Sequence, residues 1–308
     1  MSTHHPTARQ VAIGIGLMVL ATFGFSVMSG LVKAVSPPIP TVQVLFFRAA
    51  FAMVPLMLVI MLTGGPGQLR TKQPRGHVVR SLAGLVGSFC YFYAYGHMPL
   101  ADVVAISFSM PLFATALAVP LLGEKVRIRR WTAILVGFVG VLIMVRPGGS
   151  GFTPVALIMV AGAALYAIAS IAIRKMSATE TSAAIVFYFT LTSMLGSAAF
   201  LPWIWVTPSG KELAFLVMIG FIGGVAQICM TRAFGAAALA IIAPFEYASL
   251  LWSVGIGWMF WGEVPDWAVG VGAMLVVGSG LYILHRETVL RRDAAAQYDP
   301  LPKPQRGP

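Results

Sequence analysis

Gly84–Glu124, GLVGSFCYFYAYGHMPLADVVAISFSMPLFATALAVPLLGE, reads like an earlier copy of Gly223–Glu263, GGVAQICMTRAFGAAALAIIAPFEYASLLWSVGIGWMFWGE. Aligned without gaps at an offset of 139, the two share 10 of 41 positions. Gly84 falls on Gly223, Cys90 on Cys229, Ala94 on Ala233 and Leu100-Ala101 on Leu239-Ala240. The match ends with Gly123-Glu124 on Gly262-Glu263, and it pairs both cysteines of the chain. A duplicated unit of apolar hairpins is the simplest account of identities held in one register.

Composition says where such a unit lives. Of 308 residues, 58% are hydrophobic and 10% charged, with a mean hydropathy of +0.86. A soluble domain carries roughly 25% charged residues. Apolar runs recur from end to end at about the 20 residues that cross a ~30 Å hydrocarbon core. The chain is therefore read as an all-α, polytopic membrane protein. Its net charge of +11 lies between the apolar runs, which argues against a nucleic-acid surface. The first apolar run, residues 11–32, is too long for a cleavable signal core. No metal-type spacing, phosphate-binding loop or catalytic constellation is present, so no metal, cofactor or enzyme activity is expected.

Ten spans result, with cores near 11–32, 41–62, 78–97, 101–122, 130–146, 152–173, 183–205, 213–232, 238–261 and 267–284. Residues 1–146 form a first five-helix repeat and 152–285 a second. The Pro/Gly-rich seam 147–151 joins them, and a disordered cytoplasmic tail covers 286–308. With the N-terminus in the cytoplasm, 17 of the 21 Lys and Arg fall on the inner side and three outside. That asymmetry places both termini inside, in a bacterial inner membrane. Five spans per half make the second repeat inverted, an arrangement suited to alternating access.

Few polar residues interrupt the spans. Arg48 is the single Lys or Arg expected within one, where a cation costs about 2.5–3.5 kcal/mol on insertion scales. It reads either as an anchor for a carboxylate or phosphate, or as a structural group bonded to helix-end carbonyls. Glu246, in the ninth span, reads as a substrate or coupling-proton site, or as a carboxylate paired for folding. An Arg48–Glu246 pair is geometrically open. Ser107, with Ser109 nearby, is the repeat counterpart of Glu246, so the two-fold is chemically broken there. Pro111 and Pro244 interrupt the fourth and ninth spans, either exposing carbonyls to a cavity or kinking the helix. Tyr93, in the aromatic run of Phe89, Tyr91, Phe92, Tyr93 and Tyr95, and Trp252 offer stacking surfaces to a planar solute, or simply face lipid. The two Gly-Glu pairs read as hairpin devices: Gly ends one helix, and Glu favours the start of the next.

Pro111-Leu112-Phe113 … Leu122-Gly123-Glu124 … Trp131 … Gly137 … Gly140-Val141, with Ala243-Pro244 … Gly262-Glu263 … Gly278, resembles the EamA-type carriers of the drug/metabolite transporter superfamily. Residues 44–48, 107–113 and 130–147 are similar to the branch containing S-adenosylmethionine and riboflavin uptake carriers. The resemblance implies a secondary carrier for a small molecule, riboflavin first and S-adenosylmethionine second. Export of amino acids or related metabolites is the alternative. A non-transporting membrane scaffold is a third possibility, of another class.

Overall fold

The structure, a computed structural model, describes residues 8–123, 128–149, 152–177, 179–236 and 239–297. Every long element is a helix: α1 (Ala8–Val35), α2 (Thr41–Thr63), α3 (Pro74–His97), α4 (Leu100–Ser107), α5 (Met110–Leu122), α6 (Ile128–Val145) and α7 (Pro154–Met176). The second half continues with α8 (Ser182–Ala198), the short α9 (Leu201–Ile204), α10 (Gly210–Ala236), the short α11 (Leu239–Ile242), α12 (Ala248–Trp261) and α13 (Trp267–Gln297). Among the described residues, six spans are long and apolar enough to cross a membrane: α1, α2, α4 with α5, α7, α10 and the first part of α13. Shorter apolar helices lie at Trp131–Val145 and Ser182–Ala198. At 24 residues α3 is long enough, about 36 Å, but His77, Arg80, Ser81 and Ser88 are buried on it.

Local chemistry sets the element ends. Pro74 and Pro154 open α3 and α7 from the first turn, where a missing N–H costs nothing. Gly123 and Gly262 close α5 and α12 at φ +68° and +66°, a left-handed conformation that glycine adopts without strain. Their N–H groups reach the carbonyls of residues 118 and 119 in one case and 257 and 258 in the other. Glu124 lies outside the described residues. The 3-10 turn Ala243–Tyr247 separates α11 from α12, and the turn at Phe108-Ser109 separates α4 from α5. These two breaks meet: the rings of Phe108 and Tyr247 pack edge to face with centroids 4.8 Å apart.

Helix packing follows one pattern twice. α1 packs on α10 as α7 packs on α3, while α2 faces α8 and α6 faces α13. Small residues permit the closest approaches. A Cβ on Gly140 would lie 2.7 Å from the Gly272 carbonyl across the α6–α13 contact, and one on Gly220 would press into α2 at the Phe47 and Arg48 carbonyls.

Two expectations are corrected. Arg48 is not the single basic residue within a span: Arg80 lies in the second turn of α3 with its side chain buried. The chain past residue 285 was expected to be disordered, but α13 continues to Gln297. Glu287–Gln297 is mostly Glu, Leu, Arg and Ala, all strong helix formers. Residues 298–308 lie outside the described residues.

Candidate functional site

Four helices, α2, α3, α8 and α10, surround a small open-mouthed cavity, lined among others by Arg48, Arg80, Phe189, Thr190, Gly223 and Gln227. Arg48 comes from α2 and Arg80 from α3. Among the described residues no Asp or Glu lines the cavity or lies within ion-pair distance of either guanidinium. Nε of Arg48, and Nε and Nη1 of Arg80, are buried without a hydrogen-bond partner. Aromatic faces hold both groups instead. The Arg80 guanidinium lies 4.1 Å from the Phe189 ring centroid, and that of Arg48 lies 5.7 Å from Phe92. Gly84 makes room for Arg80, since a Cβ there would collide with Nη1.

A tyrosine cluster adjoins Arg48. Tyr91 packs edge to face on Tyr166 of α7 at 4.8 Å, and the Tyr166 hydroxyl lies 2.7 Å from Ser88 Oγ. The Tyr91 hydroxyl sits beside Ser107, whose Oγ donates to the Val104 carbonyl at 2.6 Å. Tyr95 interacts with Arg48 and lies beside Ser29.

The remaining candidates lie elsewhere. Tyr93 belongs to another stripe of α3, stacked on His97 at 4.1 Å and on Phe89, which is exposed. Tyr91 and Tyr95, not Tyr93, are the tyrosines of that run which turn toward α7 and α2. Trp252 packs edge-on to Phe23 of α1, with Nε1 buried and unbonded. Glu246 sits half-buried in the 3-10 turn, its carbonyl accepting Ser249 Oγ at 2.7 Å. No Lys or Arg among the described residues pairs with it, so Arg48 and Glu246 stand apart. Pro111 and Pro244 are exposed, each in the first turn of its element.

Sequence reading missed Arg80 and Tyr166. Arg80 falls inside the span 78–97 but near its start, where it reads with the basic loop before it; nothing in the sequence pointed to Tyr166.

Both ends of α3 are tied by a glutamate. At its start Glu180, whose side chain is buried, accepts the N–H groups of Lys72 (2.7 Å) and Gln73 (3.1 Å) and meets His77 Nε2 at 3.1 Å. The Lys72 N–H in particular holds this carboxyl below its ordinary range. Just past the other end, Glu263 pairs with Lys33 and accepts the Leu100 N–H at 3.0 Å, while Lys33 donates to the Met98 carbonyl at 2.8 Å. Glu263 thus caps the start of α4 rather than of the helix that follows it in sequence. Beside it, Arg146 pairs with Asp266, which the guanidinium keeps below the usual carboxylate range.

Comparison with known proteins adds the family. Residues 12–146 match the EamA-like transporter family. The chain is 35% identical over 269 residues to a pseudopaline exporter of Pseudomonas aeruginosa, covering 86% of this chain and 93% of the relative. It is 28% identical over 274 residues to an S-adenosylmethionine uptake transporter of Rickettsia felis, covering 89% and 93%. A riboflavin transporter of Vibrio cholerae is 28% identical over 290 residues, covering 92% and 95%. A crystal structure at 22% identity shares the fold with a TM-score of 0.60, over 93% of this chain and 99% of the other. These relatives are transporters of small molecules rather than enzymes, and the apolar helices agree with a multi-pass membrane protein of bacterial type. The chain belongs to the EamA-like transporter family.

Proposed function

We propose that the chain is a ten-span, alternating-access carrier of a small organic metabolite in the bacterial inner membrane, with both termini cytoplasmic. Its two inverted five-helix units are 1–146 and 152–285, joined at 147–151. The observation that carries this reading is the origin of the cavity walls. α2 and α3 belong to the first unit, and α8 and α10 are their counterparts in the second. A cavity between matched helices can be exposed to either side in turn as the two units exchange conformations. The matched breaks, the matched glycine caps and the doubled packing pattern support the same reading.

Arg48 and Arg80 contact the solute in this reading, with Phe189, Thr190 and Gln227 forming its neutral wall and Tyr91, Tyr95 and Ser107 lying behind Arg48. Glu246, which lacks a basic partner among the described residues, takes the coupling proton. Pseudopaline, S-adenosylmethionine and riboflavin, the solutes named for three relatives, are the first to assay; direction follows from the gradient and its coupling.

The test compares bacterial cells with and without the chain by mass spectrometry of internal and external metabolites, alongside labelled riboflavin and S-adenosylmethionine uptake. A carrier redistributes at least one solute saturably, and Arg80→Gln at equal expression abolishes the difference. A chain that redistributes nothing in cells, and gives no saturable flux in proteoliposomes, is a membrane scaffold.

A further inference from the structure

We infer that the cavity between α2, α3, α8 and α10 binds an organic acid with two separate acidic groups, one on Arg48 and one on Arg80. This rests on the carrier reading and names the class of solute.

The argument begins with what the cavity lacks. Two guanidinium groups line it, and no carboxylate does among the described residues. Removing one charge from water is costly, and two like charges around a single cavity repel as well. A folded protein retains such a pair where an anion joins them during the working cycle.

Geometry then sets the kind of anion. The guanidiniums lie over the Phe92 and Phe189 rings, contacts that use none of their N–H hydrogen-bonding capacity. Nε of Arg48 and Nε and Nη1 of Arg80 are left unbonded. An arginine edge matches the two oxygens of a carboxylate. The guanidiniums stand on different helices, each over its own ring, so two joined acids satisfy them better than one. Gly223 keeps the opposite wall low: a Cβ there would come within 3.9 Å of Arg48 Nε and 2.7 Å of Met28 Sδ. Riboflavin is uncharged and S-adenosylmethionine carries a sulfonium, so neither satisfies both arginines.

The experiment uses the purified full-length chain in nanodiscs and reads thermal unfolding against added solute. The probes are the linear dicarboxylates from malonate to suberate, the monomethyl ester of each, and inorganic phosphate. One or two neighbouring chain lengths are expected to raise the melting temperature by several degrees. Their monoesters bind more weakly, on the order of tenfold or more, because one charge-assisted contact is lost. Arg48→Gln and Arg80→Gln each erase the preference for diacid over monoester. Arg80→Lys, which keeps the charge, retains part of it. The proposal is overturned if no dicarboxylate stabilises the chain, if monoesters or phosphate match the best diacid, or if the preference survives Arg80→Gln. Saturable flux of a neutral solute without diacid binding sinks the acid site and leaves the carrier. Diacid binding with no flux of any solute does the reverse.

Discussion

Lys33 and Arg80 are both cations withdrawn from water in an apolar bundle, and the structure treats them oppositely. Lys33, with 12% of its side chain exposed, has the Glu263 carboxylate, the Met98 carbonyl and the Trp261 ring, whose centroid lies 5.6 Å away. Glu263 is satisfied in turn by the Leu100 N–H. Arg80, at 8% exposure, has a phenyl ring and two bare nitrogens. A buried ion with every partner supplied is part of the fold, because removing one member strands the other. One whose partners the fold withholds contributes little to stability, and its retention points to something that arrives from outside.

The sharpest way to break this contrast is to remove each charge and compare signs. Arg80→Met should abolish transport, a fall of at least about a hundredfold when two charge-assisted contacts go. The same change should raise stability by about 1–3 kcal/mol, since an apolar side chain of similar length replaces an unpaired ion. Glu263→Gln should lower stability by about 2–4 kcal/mol, because Lys33 is left without a carboxylate, on a carbonyl and a ring. Thermal unfolding in nanodiscs reads both. If the two substitutions move stability in the same direction, Arg80 is a structural group and the contrast fails.

Glu246 extends the comparison to a carboxyl group without a basic partner among the described residues. Glu246→Gln keeps the shape of the side chain and removes the exchangeable proton. Solute exchange across a membrane without a gradient should persist within about threefold of the parent, whereas accumulation driven by a proton gradient should be lost. Accumulation equal to the parent's would remove Glu246 from the coupling mechanism.

Glycine substitutions sharpen the contrast more gently. A Cβ on Gly84 meets Arg80 Nη1 and, at 2.8 Å, the Phe189 ring, so Gly84→Ala should cost about 1–3 kcal/mol and weaken solute binding by displacing the guanidinium. Gly255, on α12, has nothing within 4 Å of the added Cβ. Gly255→Ala should leave transport unchanged and add about 0.5 kcal/mol through helix propensity. Equal losses in both would mean that helix packing, and not the cavity, is being measured.

How much of this was legible beforehand depends on what each feature rests upon. Helices are set by runs of apolar residues and their punctuation, so the breaks near Ser107 and Glu246 and the glycine caps showed in the sequence. Arg48 showed because nothing but apolar residues surrounds it. Arg80 did not, because it stands near the start of its span and reads with the basic loop that holds Arg75; its burial depends on α8 bringing Phe189 across. In the aromatic run, residues 91 and 95 share one face of α3 and residues 89, 93 and 97 another, as a turn of 3.6 residues requires. Which face turns inward is decided by Tyr166 on α7, about 70 residues away in sequence. Choosing Tyr93 was a choice of phase that periodicity alone cannot make.

Glu180 gives the smallest and most specific prediction, at the opposite end of α3 from Glu263. Its carboxylate takes two backbone N–H groups that begin α3, and these lower its folded pKa from the ordinary 4.5. The unfolded chain therefore binds this proton more readily than the folded one as the medium is acidified. Stability from Glu180 should be fully present above about pH 4.5, and should fall as pH drops from there through the folded value. Melting temperatures of the parent and Glu180→Gln, taken from pH 7 to pH 3.5, isolate the effect. The gap between them should hold constant down to about pH 5 and narrow below it. A gap that stays constant throughout would mean that His77 and packing hold this end of α3. The arm carrying Arg80 would then be fastened by an acid at the Glu263 end alone.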